Sequence, residues 1–395
     1  MGARRGDFQT LEQLAKRAIG RSGPVRLSGL RGGARAAAGA RLVQAQGDRP
    51  TLFLAPSAKA ADALAADLRL TLGEWNGQGG PADDARVMIF PRHDTVPYDR
   101  FSPQPFVIAN RMDVLYRWLE CDRPSGAGNG AAAPVVVAPW TSLAMRVPSR
   151  EAVRARSVRV AVGEEIDRDA LVERLLAGGY SRVPMVEERG EIAVRGGILD
   201  VFPPQRLRPA RLELLGDEIE SIREFDPASQ RSLRKLPAVV AAPARELLFD
   251  RDEVIARGDE LRKLAIERDV ADRSVDEWID SLLRGHVPPG AEALAPILQP
   301  GLETVLDFLP EDTLVVLDDA TAGQERLARY ADEIAQNFEA ATDAGRLACA
   351  PADLFEEAEA IVRRIESLRP VRLERLDVAG EDGDPYPVRT ESHDE

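Results

Sequence analysis

The segment Arg49-Pro-Thr-Leu-Phe-Leu-Ala-Pro56 contains a short buried strand, and an alanine-rich amphipathic helix follows it over 58–72. Two more apolar runs have the same character, Arg86-Val-Met-Ile-Phe90 and Pro134-Val-Val-Val-Ala138. Strands without polar alternation are covered on both faces, and strands that alternate with helices usually form parallel sheets. The first 150 residues therefore predict an α/β domain in which helices cover both faces of a parallel sheet.

A different pattern begins at residue 151. Residues 157–162 alternate like a half-buried strand, and a short helix over 167–177 ends at Gly178-Gly179. Short strands separated by turns follow, and Gly216-Asp217 stands where a hairpin would turn. Their predicted ranges are 191–195, 197–202, 210–214 and 218–225. This pattern predicts a small antiparallel α+β domain over 151–236, inserted into the first domain.

Helices dominate again from residue 237, with predicted ranges of 252–268, 274–283 and 321–340. The run Thr313-Leu-Val-Val-Leu-Asp-Asp319 predicts a strand that rejoins the parallel sheet. The predicted organisation is therefore a first part over 1–150, the insertion, a return segment over 237–378 that completes the first domain, and an acidic tail. We expect the tail, 379–395, to be disordered, and the glycine-rich stretch 124–134 to be a surface loop.

Composition restricts the classes of function. The 395 residues carry a net charge of −14, which disfavours a protein whose main task is gripping duplex DNA. Two cysteines and three histidines supply neither a disulfide framework nor zinc-ligand spacing, so we expect no metal site and a cytoplasmic protein. There is no run of about 18 apolar residues and no apolar core after Met1-Gly-Ala-Arg-Arg5, so we expect neither a membrane span nor a secretory signal.

The first domain has the layout of a RecA-like (P-loop NTPase-type) fold, which needs Gly-x-x-x-x-Gly-Lys-Ser/Thr to hold nucleotide phosphates. The expected place holds Ser28-Gly-Leu-Arg-Gly-Gly-Ala-Arg-Ala36. Ala34 replaces the second glycine, Arg35 the lysine and Ala36 the magnesium-binding hydroxyl, and arginine is not equivalent to lysine. A vestigial phosphate loop and an ordinary glycine-rich connection both fit this stretch. Both interpretations predict poor ATP hydrolysis.

Asp318 and Asp319 end the predicted strand of the return segment. Acids at the carboxyl end of a parallel strand face the ligand crevice, as the magnesium-binding aspartate of such ATPases does. A solvated turn at the strand end is the alternative. The candidate residues of the vestigial nucleotide site are Gly29, Gly32, Gly33, Arg35, Asp318 and Asp319.

Two longer stretches carry a resemblance. The first is Phe90-Pro-Arg-His-Asp-Thr-Val-Pro-Tyr-Asp-Arg-Phe-Ser-Pro103, followed by Ile108-Ala-Asn-Arg111. The second is Glu188-Arg-Gly-Glu-Ile-Ala-Val-Arg-Gly-Gly-Ile-Leu-Asp-Val-Phe-Pro203, followed by Arg211-Leu-Glu-Leu-Leu-Gly-Asp-Glu-Ile-Glu-Ser-Ile-Arg-Glu-Phe-Asp226. Both resemble the amino-terminal module that UvrB shares with the transcription-repair coupling factors. The resemblance covers residues 25 to 375, and its second stretch is the more specific because it is long and ordered.

Two departures favour the coupling factors over UvrB. UvrB keeps an intact phosphate loop and a tyrosine-rich hairpin that clamps DNA, whereas Pro97-Tyr-Asp-Arg-Phe101 runs into residue 108 with no room for that hairpin. Whole coupling factors continue into an RNA-polymerase-binding domain and a DNA-translocating ATPase that uses ATP and Mg. This sequence stops before either, so a piece of a longer protein, a split reading frame and a free-standing homologue all stay open.

The resemblance implies that the inserted domain of this family docks onto UvrA and so recruits excision repair to a stalled RNA polymerase. Arginine suits such an interface because its planar guanidinium pairs with carboxylates. The residues carried over by motif are Arg182, Glu188, Arg189, Arg195 and Phe202. Solvated arginines in hairpin turns are the alternative for Arg189 and Arg195, and core packing is the alternative for Phe202.

Two rival functions follow from other features of the sequence. A UvrB-type ATPase would use a divergent loop around Gly29 to Arg35, and a DNA-binding module would use Arg92, Arg100 and Arg111 on one edge. The acidic net charge and the missing hairpin disfavour the DNA-binding module. The resemblance predicts neither a catalytic residue nor a bound cofactor in this segment.

Overall fold

A computed structural model describes residues 11–20, 25–30, 32–74, 86–121, 132–374 and 385–387. The predicted surface loop at 124–134 and the predicted tail at 379–395 lie largely outside these residues. The strands in the described residues are β1 (Val25–Ser28), β2 (Thr51–Ala55), β3 (Val87–Ile89), β4 (Val135–Pro139), β5 (Val158–Ala161), β6 (Ser181–Arg182), β7 (Glu191–Arg195), β8 (Ile198–Val201), β9 (Ala210–Leu215), β10 (Glu218–Phe225), β11 (Ser232–Leu236), β12 (Ala238–Ala241), β13 (Leu314–Asp318), β14 (Val371–Leu373) and β15 (Pro385–Pro387).

Helices precede and separate these strands. Within the same residues they are α1 (Leu11–Ile19), α2 (Ala34–Gln46), α3 (Ala58–Leu72), α4 (Pro105–Cys121), α5 (Arg150–Arg156), α6 (Arg168–Ala177), α7 (Arg251–Glu267), α8 (Asp272–Leu283), α9 (Ala295–Leu298), α10 (Ala320–Asp343), α11 (Pro351–Leu354) and α12 (Ala358–Ser367). No helix in the described part of the chain is long and apolar enough to cross a membrane.

The larger sheet is parallel throughout, as the apolar runs predict. Its strands lie in the order β15-β1-β14-β13-β2-β4-β3, so six strands are extended at one edge by the short β15. The strand predicted at 313–319 lies in this sheet, because β13 pairs with β2 from Leu314 opposite Thr51 to Leu317 opposite Leu54. Residues far apart in the chain thus share one sheet.

Strand β2 shows why this sheet is covered on both faces. All five of its residues are buried. Leu52 and Leu54 belong to the core that contains α4 and α10, whereas Phe53 and Ala55 belong to the core that contains α2 and α3. Successive side chains of a strand point to opposite faces, so helices on both sides are needed to bury such a run.

The second sheet has the order β11-β10-β9-β8-β7-β6 and a core of its own. Four of its five pairings are antiparallel, as predicted, but β6 runs parallel to β7 at the edge. The predicted turn at Gly216 is present, because this glycine has a φ of +65° between β9 and β10. Strand β12 pairs with β5 and packs into the same core, which places residues 238–241 beside this sheet. The domain boundaries at 150, 236 and 378 stay predictions.

Candidate functional site

The glycine-rich loop joins a strand of the parallel sheet to a helix. Strand β1 ends at Ser28 and α2 begins at Ala34, which is the strand–loop–helix order of a phosphate-binding loop. Gly29 and Gly32 have φ values of +78° and +53°, which glycine adopts without a Cβ penalty. The loop backbone therefore needs its glycines.

Arg35, which stands where such loops have lysine, is bound to the acid across the crevice. Its Nη1 donates to both carboxylate oxygens of Asp318, at 2.7 and 2.8 Å. Only 2% of the Asp318 side chain is exposed. Charge-assisted pairs of this length are among the strong hydrogen bonds in proteins. The two groups that would serve phosphate and magnesium thus neutralise each other.

Asp319 has a local structural role. It adopts a left-handed conformation with a φ of +55°, and its carboxylate accepts a hydrogen bond from the backbone N–H of Ala322, 3.4 Å away, at the start of α10. A side-chain oxygen at this position satisfies one of the unpaired N–H groups of a helix end. The fold brings the loop and both predicted acids to one end of the sheet, where a cavity of about 290 Å³ also touches Gly32 and Arg35.

Arg195 lies at the end of β7 and contacts a buried acid on the next strand. Its Nη2 lies 2.5 Å from Oδ2 of Asp200, and Arg211 on β9 approaches the same carboxylate with Nε at 2.7 Å and Nη2 at 2.9 Å. Asp200 is fully buried, whereas 46% of the Arg195 side chain is exposed. The buried carboxylate therefore fixes an arginine whose outer face meets solvent.

Arg182 and Glu188 are both exposed, the first on the edge of the second sheet and the second in a turn beside it. Arg182 lies on the edge strand β6, which pairs with β7 through Arg182 opposite Ile192. Glu188 lies in the turn that precedes β7, where its backbone N–H donates to the carboxylate of Glu191 at 2.8 Å. With Arg195, these two predicted residues provide accessible charged side chains.

Arg189 and Phe202 are placed differently. The Nη1 of Arg189 donates to Oδ1 of Asn110 on α4 at 3.2 Å, so this arginine joins the second sheet to a helix of the parallel-sheet core. Burial lowers the pKa of Arg189 below its ordinary value, although Asp113 acts in the opposite direction. Phe202 is 6% exposed and packs with Phe225, which favours the core-packing interpretation.

The sequence reasoning did not identify Asp200 and Arg211 as the support for Arg195. The register places Asp200 directly opposite Arg211 across β8 and β9. An acid inside the apolar run Ile198-Leu-Asp-Val201 was the available signal, because a buried carboxylate needs a partner.

A buried charge cluster removes Arg111 from the three arginines that the rival DNA-binding module would use. Arg111 is 1% exposed, and its Nε lies 2.5 Å from Oε1 of Glu246, whose Oε2 lies 2.8 Å from Nε2 of His93. Burial alone would raise the pKa of Glu246, but Arg111 and His93 outweigh it and hold that pKa at about 2. The prediction that Arg111 could contact DNA is therefore wrong, since its guanidinium is used inside the core.

Among the described residues, no group of three or more His, Cys, Asp or Glu could hold a metal ion.

The sequence matches one family model and is similar to several known proteins. Residues 158–247, which include β5 to β12, match the family model of the UvrB interaction domain. The transcription-repair-coupling factor of Myxococcus xanthus is 38% identical over 352 residues, which are 87% of this chain and 28% of that protein. That of Mycobacterium tuberculosis is 34% identical over 81% of this chain and 25% of the relative.

UvrABC system protein B of Thermus thermophilus is 28% identical over 75% of this chain and 46% of its own length. The chain spans about a quarter of the length of the coupling factors it matches. The resemblance predicted from the sequence is confirmed: residues 158–247 match the UvrB interaction domain, and most of the chain around them is similar to transcription-repair-coupling factors.

Proposed function

We propose that this chain is the UvrA-docking module of a transcription-repair coupling factor. The observation that carries the proposal is Arg195, held by the buried Asp200 while its outer face is exposed, inside the segment that matches the UvrB interaction domain. Arg182 on the edge strand and Glu188 in the turn before β7 supply further exposed charges. Exposed charged side chains of these kinds suit a partner with complementary charged and planar groups.

Asp200 holds the Arg195 side chain in place, which makes Arg195 suitable for anchoring a partner. A free arginine loses considerable side-chain freedom when it binds, and this loss opposes association. The short contact to Asp200 restricts Arg195 before a partner arrives, so less freedom is lost on binding. Arg211 neutralises the rest of the Asp200 charge, and a second carboxylate or an aromatic ring on UvrA can therefore approach Arg195 without facing an uncompensated acid.

The parallel-sheet part has the role of a scaffold in this proposal. Its strand–loop–helix at β1 and α2 supports a RecA-like origin with the second sheet inserted, and the Arg35–Asp318 pair supports a vestigial site that hydrolyses no ATP and needs no cofactor. The contacts with RNA polymerase and duplex DNA would belong to parts of the coupling factors that this chain does not match. The module would act in the cytoplasm, where UvrA is found with DNA.

The test is the affinity of the chain for purified UvrA, measured by biolayer interferometry beside Arg195→Glu. We expect the parent to bind and the variant to lose about tenfold or more in affinity, as central interface arginines do. The matched control is Arg159→Glu on β5, which makes the same charge change at a residue that is 59% exposed. Failure of the folded parent to bind UvrA, or an equal loss in both variants, would contradict the proposal.

A further inference from the structure

A cleft of about 290 Å³ opens between the two sheets, at the β3 edge of the parallel sheet. One wall consists of β3 with residues from α3 and α4. The opposite wall consists of the turn before β7, the connection between β8 and β9, and residues of β10 and β11. The cleft is thus built by both parts of the chain and lies away from the glycine-rich loop.

Arginine dominates the lining of this cleft. The lining includes six arginines, Arg69, Arg117, Arg189, Arg206, Arg208 and Arg234. They face two carboxylates, Asp113 and Glu224. Such an excess of positive charge stands out in a chain whose net charge is −14. Clefts lined by one sign of charge concentrate ligands of the opposite sign.

The two carboxylates are already shared among the arginines. Oε1 of Glu224 accepts from Arg206 at 2.5 Å and Oε2 accepts from Arg234 at 2.8 Å, while Asp113 accepts from Nε of Arg117 at 2.8 Å. Each acid thus holds its own arginines in place. Among the described residues no further carboxylate lines the cleft, although Asp62 and Glu74 act on Arg69, and Arg208 on Asp226, from outside it.

The electrostatics within the cleft show incomplete compensation. Burial lowers the pKa of Arg189, Asp113 acts against this lowering, and the nearby charge of Arg117 adds to it. Burial likewise lowers the pKa of Arg206. Glu224 raises this pKa, whereas the charge of Arg234 lowers it. Like charges are therefore held close together in a partly desolvated space, and a bound anion would relieve their repulsion.

We propose that this cleft binds a small polyphosphate anion of pyrophosphate size. Arginine pairs bidentately with phosphoryl oxygens. An anion with two phosphoryl groups can therefore engage guanidinium groups from both walls at once. The cleft is at the lower limit of the volumes typical of ligand pockets, about 300 Å³, which suits a small anion. None of the described residues that line it is aromatic, so this part of the chain offers no platform on which a nucleic-acid base could stack.

A ligand held in this way would connect the two parts of the molecule. Arg69 and Arg117 belong to helices of the parallel-sheet part, whereas Arg206 and Arg208 follow β8 in the second sheet. An anion bound to both walls stabilises their present arrangement by mass action. This inference does not rest on UvrA docking, and either can fail without the other.

The experiment is isothermal titration calorimetry of the full chain with inorganic pyrophosphate. We expect one saturable site per chain. The double variant Arg117→Gln/Arg208→Gln removes one charge from each wall and keeps the more buried Arg189 and Arg206, and it should weaken binding by at least about tenfold. The matched control, Arg326→Gln/Arg329→Gln on the exposed face of α10, removes the same charge and should bind like the parent.

Further variants and competitors locate the site and identify the source of the phosphate. Arg35→Gln should leave pyrophosphate binding unchanged, because Arg35 lies in the glycine-rich loop and not in the cleft. Absence of a saturable site in the folded parent, or equal binding by the cleft variant, would overturn the proposal. Loss of binding in a folded Arg35→Gln variant alone would assign the ion to the loop, and displacement by a short DNA duplex would assign the cleft to a nucleic-acid backbone. Either result would also overturn the proposal.

Discussion

Nη1 of Arg35 lies 2.7 Å from Oδ1 of Asp318, although 283 positions separate the two residues in the chain. The pair joins the start of α2 to the end of β13, so it links the first part of the chain to the segment that returns after the second sheet. The protein's own charges therefore join the glycine-rich loop to the acid at the end of β13, the two parts of the predicted nucleotide site.

Arg35 and Asp318 should stabilise the fold together, and neither charge should do so alone. Arg35→Met removes the guanidinium that neutralises the buried Asp318, and we expect a loss of about 2–4 kcal/mol in the free energy of unfolding. The double variant Arg35→Met/Asp318→Leu removes both charges and should recover most of that loss. Urea denaturation measures both values. A double variant that is less stable than Arg35→Met would show that the charges are not coupled.

ATP turnover provides a second prediction about the same residues. The purified chain should release no phosphate above background in the presence of Mg²⁺, because Ala36 supplies no magnesium-binding hydroxyl and Arg35 is paired. Asp318→Asn should change the unfolding midpoint without changing phosphate release. Turnover by the parent that Asp318→Asn abolishes would instead establish an ATPase that uses the divergent loop.

The buried acid of the charge cluster predicts how stability depends on pH. The pKa of Glu246 is about 2 in the fold and 4.5 when unperturbed, so between these values the unfolded chain binds the proton and the folded chain does not. Its stabilising effect is fully present above about pH 4.5 and is lost as the pH falls toward 2, on the order of 3 kcal/mol in all.

Urea unfolding at several pH values below about 5 tests this dependence. Glu246→Gln should be less stable near neutral pH and should lose less stability than the parent on acidification. Glu164→Gln, a change at an acid whose side chain is 45% exposed, is the control. If acidification reduced the stability of the Glu246→Gln variant as steeply as that of the parent, the assignment of the acid-sensitive step to Glu246 would be incorrect.

Close packing against Trp140 predicts the effect of a methyl group in α10. A Cβ added at Gly323 would overlap the indole ring of Trp140. Because this side chain is fully buried, it cannot move away without disturbing the packing around it. Gly323→Ala should therefore cost about 1–3 kcal/mol despite the better helix propensity of alanine. The control is Gly33→Ala, where the φ is −65° and no heavy atom lies within 4 Å of the added carbon. Equal stability of the two variants in thermal unfolding would contradict this packing argument.

The parallel sheet was predictable where its strands are long and apolar. The run around residues 51–55 and the helix at 58–72 are recognisable because burial on both faces and helical periodicity leave separate patterns. Strands β1, β14 and β6 are only two to four residues long, and each contains an arginine, so no pattern marks them before their neighbours are known. Their existence depends on pairing with strands that are distant in the sequence.

The candidate docking site was predictable in part for a similar reason. Motif resemblance identified Arg195, but its support by Asp200 depends on the register that brings Arg211 opposite that acid. The contact of Arg189 with Asn110 could not be predicted from the sequence, because it joins residues 79 positions apart. Tertiary pairing, and not local sequence, decides which arginine remains accessible.

The pairing of β5 with β12 has a consequence for how the chain is assembled. Val158 is the partner of Ala241, so the chain enters and leaves the second sheet through adjacent strands, which lie about 5 Å apart in antiparallel pairs. Arg156 spans both connections by contacting Asp250 at 3.3 Å and Glu253 at 2.8 Å. The gap that a deletion of residues 158–241 would leave is therefore short enough for a linker of a few residues to close.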